Sequence, residues 1–90
     1  MINKEKMEST VDLMLSDDYK ERFRAEFFQL YFRCDKLAKM LYDWEDGKLG
    51  FEPTCDHFMY VEQLKAMREY LHILAERAEE EGIDISMKSW

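Results

Sequence analysis

Cys55, Asp56 and His57 stand side by side, and with His72 and Cys34 they are the first place to look for chemistry. A thiol, a carboxylate and an imidazole can hold a metal or pair as nucleophile and base, provided their side chains converge. Their spacing matches no common zinc pattern. The Cys55–His57 run falls where a helix is expected to begin, so its side chains fan outward instead of meeting. His72, between Leu71 and Ile73 in a helical stretch, reads as an ordinary packed or surface histidine. The chain has no Gly-rich phosphate loop, no Gly-x-Ser-x-Gly and no His-Glu-x-x-His. The expectation is therefore a protein that is not an enzyme, with no metal and no cofactor; a metal-dependent enzyme or sensor built on Cys55 and His57 is the weakest alternative.

The cations offer a second kind of chemistry. Lys20, Arg22, Arg24, Arg33, Lys36 and Lys39 fall in one helical stretch, and Lys65, Arg68 and Arg77 in another. Ion pairs at helical spacing would neutralise many of them, for example Glu26 with Arg22, or Arg33 with Glu26 or Asp35. Tyr19, Glu26, Arg33 and Met40 recur every seven residues and share one line along a helix. On that line Tyr19 and Arg33 are about 21 Å apart. That is too far for one small ligand on one helical pair, unless a second chain brings its own residues alongside. The run Glu79, Glu80 and Glu81 reads as a solvated helix end.

These residues need helices to position them, and the spacing supplies two. Phe23, Phe27, Leu30, Cys34, Leu37, Leu41 and Trp44 alternate steps of four and three, which marks an amphipathic helix over about 17–46. Ser16 is the expected N-cap, with Asp17 and Asp18 in the first turn, where negative charge suits the helix dipole. With no Gly or Pro before Gly47, the rod should reach about 45 Å. Gly47, Gly50 and Pro53 mark a loop of about nine residues, in which Leu49 and Phe51 are expected to plug the open end of the pair. Tyr60, Leu64, Met67, Leu71, Leu74 and Ala78 repeat the pattern over about 54–81, from a Thr54 cap to Gly82. Two matched seams joined by a short loop predict an all-α fold, an antiparallel two-helix hairpin over 16–85. Residues 1–15 read as a short N-terminal arm or helix. Residues 86–90 are the C-terminal tail; Ile83, Ile85 and Met87, alternating with polar residues after Gly82, point to an extended return onto a helix anchored by Trp90.

The hairpin carries more apolar surface than its seams use. Phe28, Tyr31, Phe32 and Tyr42 lie beside the first seam; Met59, Tyr70 and Ile73, with Ala66, lie beside the second. Exposed together they would exceed the patch a soluble monomer usually tolerates, and burying each ring is worth roughly 1.5–3 kcal/mol. All of these but Ala66 form the expected oligomer interface of a homo-oligomeric helical bundle. A compact chain with arm and tail wrapped around the hairpin is the competing arrangement.

Composition bounds the partners. A net charge of −7 over 90 residues argues against long nucleic acid, whose binding rests on phosphate neutralisation. No apolar run is long enough to span a bilayer, and residues 1–16, with Lys4, Glu5, Lys6 and Glu8, do not read as a signal peptide. A cytoplasmic location without membrane attachment is expected. The two cysteines are too few for a disulfide framework, and Cys34 on the seam reads as a small buried hydrophobe.

The first helix, in Asp18-Tyr19-Lys20-Glu21-Arg22-Phe23 followed by Glu26, Leu30, Arg33, Leu37 and Met40-Leu41, resembles a family of small phage proteins, the anti-CBASS and Thoeris anti-defence hairpin group. Closer still is Glu62-Gln63-Leu64-Lys65-Ala66-Met67-Arg68-Glu69-Tyr70-Leu71 followed by Leu74 and Glu76-Arg77-Ala78, with its Gln-Leu-x-x-Met-x-x-Tyr order. The similarity covers about 16–85. Asp35, the segment before residue 16 and the Phe27-Phe28 and Tyr31-Phe32 pairs depart from the pattern. The resemblance implies a homo-oligomer that binds cyclic nucleotide immune messengers between subunits and holds them uncleaved. The partner would be a cyclic di- or trinucleotide or a cyclic ADP-ribose-type messenger. It implies pocket roles for Tyr19 and Arg33, with Arg77 in a second site; with the neighbouring cations, the candidate ligand-binding set is Tyr19, Lys20, Arg22, Arg33, Lys36 and Arg77. The competing function is a structural or adaptor hairpin that acts through protein–protein association alone.

Overall fold

A computed structural model describes residues 4–86 of the chain. It is all-helical: α1 spans Lys4–Met14, α2 Tyr19–Glu45 and α3 His57–Glu81. The middle helix organises the rest. Among the described residues α1 and α3 each pack on α2 and not on one another. The longest dimension is 42 Å, set by α2. No described helix is long and apolar enough to cross a membrane.

The caps of both long helices lie two residues later than expected, for the same reason. Asp18, in extended conformation, caps α2 by accepting from the Lys20 backbone N–H at 2.9 Å. Ser16 is not the cap: its Oγ accepts from the Asp18 N–H at 3.0 Å and donates to Glu21 at 2.8 Å, which steadies the residue that is. At α3 the cap is Asp56 instead of Thr54, accepting from the Phe58 N–H at 3.2 Å. In both cases a carboxylate next to the first turn takes the orphan N–H and gains from the helix dipole as well. The connection therefore runs over residues 46–56, longer than expected.

The helix ends match one another too. Gly47 and Gly82 take positive φ of 73° and 67°, which a glycine adopts without steric cost. Beyond each glycine, the next N–H reaches back into the last turn, Lys48 to the Asp43 carbonyl and Ile83 to the Ala78 carbonyl, both at 2.8 Å. This double closure satisfies the end carbonyls and turns the chain sharply. It also delivers Ile83 into the core, so the tail does pack back as its alternation suggested. Met87 and Trp90 lie outside the described residues.

The expected seams form the core. Phe23, Phe27, Leu74, Ala78 and Ile83 cluster at one end, and Cys34, Leu41 and Leu64 at the other, with Leu37, Tyr60 and Met67 packed alongside the second group. Cys34 is buried and both cysteines are free. The surplus surface is where expectation and structure part. Phe28 and Phe32 are 0% and 4% exposed within the chain itself. Neither is available to a neighbouring subunit. With Ala25 and Gln29 they form a second stripe on α2, away from the seam, and α1 covers it. Met7 packs into the same cluster, and buried Thr10 accepts a hydrogen bond from the Gln29 amide at 2.9 Å while donating to the Met7 carbonyl at 2.6 Å. The arm is thus a helix with a fixed seat. Tyr31, Tyr42, Met59, Tyr70 and Ile73 remain exposed, although Tyr31 stacks on Phe27 at 6.4 Å.

Candidate functional site

Two rows of side chains face each other across the groove between α2 and α3. On α2 the row is the heptad line Tyr19, Glu26, Arg33 and Met40; on α3 it is Gln63, Tyr70 and Arg77, again seven apart. The rows run in opposite order, so the start of one helix meets the end of the other.

The first rung is a three-residue cluster. Arg77 Nη2 donates to the Tyr19 hydroxyl at 2.7 Å, and that hydroxyl donates to Glu81 Oε1 at 2.8 Å. Arg77 Nε closes the ring to Glu81 Oε2 at 3.1 Å, with the guanidinium 5.1 Å from the Phe23 ring centre. The hydrogen bond to Glu81 raises the Tyr19 pKa above its ordinary 10.0, with burial adding and Arg77 opposing. Donation from Tyr19, then from Arg77, holds the Glu81 carboxyl below its ordinary 4.5. Arg77 moves up, through its bond to Glu81. The signs define a window. Glu81's contribution is present above 4.5 and fades as acid takes the pH through its lowered value. Tyr19's is present below 10.0 and fades as the pH rises through its raised value. Tyr19→Phe removes the leading cause of the Glu81 shift; the Glu81 carboxyl, followed by NMR titration, is expected to move up toward 4.5. An unmoved titration would mean that Arg77 alone sets it.

The second rung joins Tyr70, whose hydroxyl donates to Glu26. Tyr70, expected at a subunit interface, thus has a partner in its own chain. At the third rung the pattern opens. Arg33 has no carboxylate within ion-pair distance among the described residues, and neither does Lys36; the expected pairs of Arg33 with Glu26 or Asp35, and of Arg22 with Glu26, do not form. Here the groove encloses about 500 Å³. Arg33, Lys36, Lys39 and the carboxylate of Asp43 line it from α2, Gln63 and Met67 from α3, and Leu49 and Phe51 from the connection. Lys39 has a long, exposed contact with Asp43 at 3.4 Å. Phe51 does not plug the open end as expected: it is 59% exposed.

The candidate ligand set therefore divides. Tyr19 and Arg77 meet, across 58 residues of chain. Arg33 and Lys36 share the open groove with each other. Arg22 is turned aside, donating to the Ser16 carbonyl at 2.8 Å, and lines a smaller hollow of about 340 Å³ with Met14, Glu26, Gln29, Leu30 and Arg33. The Lys20 side chain is exposed beside the first rung, and its charge contributes slightly to the lowered Glu81 pKa. Sequence reasoning missed Glu81, Gln63 and Phe51 as members of these sites. The i,i+4 spacing from Arg77 to Glu81 and the seven-residue steps on α3 were the available signals.

The other candidate chemistry disperses. Asp56 caps α3, His57 Nε2 lies 3.2 Å from Glu45 with its ring against Trp44, and the Cys55 N–H reaches the Tyr60 hydroxyl at 3.3 Å. His72 pairs with Glu76 at 2.6 Å. Among the described residues no three His, Cys, Asp or Glu side chains are placed to hold a metal.

The sequence model of the Sequestin family matches residues 17–80. The chain belongs to the Sequestin family. The match takes in α2 and all but the last residue of α3, and with them every rung of the groove except Glu81. The helix that packs over Phe28 and Phe32, α1, lies outside the matched residues. Comparison with curated proteins gives no match, and comparison with solved structures gives none.

Proposed function

We propose that this Sequestin chain is an anti-defence protein that sequesters cyclic nucleotide immune messengers and does not cleave them. It acts in the cytoplasm as a homo-oligomer of α2–α3 hairpins, with pockets completed between subunits. The family's name points to sequestration, and the resemblance of both helices to phage anti-defence hairpins points to the messenger. The observation that carries the reading is the open third rung. In a chain of net charge −7, Arg33 and Lys36 stand without carboxylate partners among the described residues, beside an exposed aromatic ring, while Asp43 in the same groove is drawn to Lys39. Cations of that kind attract phosphate, and rings stack on bases.

Holding a messenger requires tight binding of its ground state, not a transition-state fit. Calorimetry of the full chain against cyclic di- and trinucleotides and cyclic ADP-ribose isomers is expected to give heat for at least one of them. The bound ligand should be recovered intact after heat denaturation. A cleaved product would overturn sequestration.

The adaptor reading keeps support from one observation. Tyr42, Met59 and Ile73 are left more than half exposed, at 73%, 60% and 55%, and an apolar surface of this kind favours association. Silence across the whole panel with the oligomer intact would leave that reading standing alone.

A further inference from the structure

The groove at the third rung has a composition of its own. Arg33, Lys36 and Lys39 give it cations, with one carboxylate, Asp43, drawn to Lys39 at 3.4 Å; Leu37, Met40 and Met67 give it apolar surface, and the Phe51 ring and the Gln63 amide complete it. Its volume, about 500 Å³, falls in the range of small-ligand sites. All of these residues belong to one chain.

Phe51 is the informative member. A large ring in a loop is usually withdrawn from water, yet this one is 59% exposed. The connection is anchored before it by the Gly47 turn and after it by the Asp56 cap. A ring held out to solvent beside Arg33 and Lys36 suits a flat, anionic partner. Gln63 adds a group that both donates and accepts, which suits the edge of a heteroaromatic base. The outer face of α3 holds a hollow of about 640 Å³ where Lys65 and Arg68 sit with Glu69 and with His72, itself paired to Glu76, and where no aromatic ring stands in the lining to stack on a base.

We infer that this groove is a single-chain site for one base–phosphate unit, with Phe51 stacking on the base, Arg33 and Lys36 meeting the phosphate and Gln63 reading the base edge. The inference rests on the sequestration reading and sharpens it. Each base–phosphate unit of a messenger engages one chain, and the oligomer serves to present several such grooves to one ligand. Arg77 and Tyr19, closed on Glu81, are then not the primary contacts.

Three variants of the full chain test it by calorimetry, with the strongest-binding cyclic nucleotide of the panel, adenosine monophosphate and inorganic phosphate as probes. Phe51→Ala is expected to weaken both nucleotides about tenfold or more while leaving phosphate binding unchanged. Phe51→Trp, which keeps a stacking face, should retain nucleotide binding. Gln63→Ala should change the preference among bases more than it changes overall affinity. Because Phe51 is exposed, unchanged helicity by circular dichroism is expected for its variants and certifies the comparison. Nucleotide binding by Phe51→Ala equal to the parent's would overturn the groove and leave sequestration in place. A parent chain silent to every nucleotide would overturn both readings, and parent heat with an acidic peptide alone would assign the groove to a protein partner instead.

Discussion

Phe28→Ala is expected to destabilise the chain by about 3–5 kcal/mol, the usual cost of emptying a buried aromatic site. Phe28 is fully buried in the cluster that ties α2 to its neighbours, with the Arg24 guanidinium 5.6 Å from its ring centre and Phe27 edge-on at 5.7 Å. A domain of this size has about 5–15 kcal/mol in total, so a loss of that size leaves little margin. Urea denaturation followed by circular dichroism reads it directly. The prediction separates two places for the same ring. Were Phe28 at a contact between subunits, alanine would dissociate the oligomer and leave each chain folded. With α1 as the cover, alanine should lower the unfolding midpoint below the parent's at matched protein concentration, in proportion to the lost packing. A variant that dissociates on size-exclusion chromatography while keeping the parent's helicity would return Phe28 to the interface.

Arg33→Glu is expected to abolish nucleotide binding, a loss of at least about a hundredfold. Removing a charge-assisted hydrogen bond costs about 1.5–3 kcal/mol, and the new carboxylate adds repulsion to the phosphate on top of that. Helicity should not change, because Arg33 is exposed and has no ion pair to break. Lys65→Glu, on the outer face of α3, is the control and should leave binding as it was. The result to watch is a reversal at Arg33 that changes nothing. It would move the ligand to the Tyr19–Arg77 end, where Glu81 already occupies both donors and an incoming anion would have to displace it.

How far the sequence reached depends on the range of the interaction. Both long helices and their buried seams were legible, because a step of three and four is written in consecutive turns and needs no knowledge of the partner. The glycine ends were legible for the same reason: only a residue without a side chain takes φ near 70° cheaply. The caps shifted by two residues at each helix, since Ser16 and Asp18, or Thr54 and Asp56, are both competent and the choice lies in local geometry. The candidate site was legible as a list and not as an arrangement. Tyr19, Glu26 and Arg33 could be seen to share a line, but their partners Arg77, Tyr70 and Gln63 sit on another helix.

What the sequence determined by itself is the set of faces: which side of each helix is apolar, which line carries rings and cations, and where the chain must turn. What only the tertiary structure decided is which body covers each face. Phe28 and Phe32 demanded a partner, and periodicity could not say whether it was a second chain or the chain's own α1. Tyr19 and Arg77 lie 58 residues apart, and their contact follows from how far one helix slides along the other, which neither helix encodes alone. The physical reason is the same in both cases. Burial is non-directional, so a sequence can state that a surface must be covered while leaving the cover to whichever neighbour the fold brings within reach.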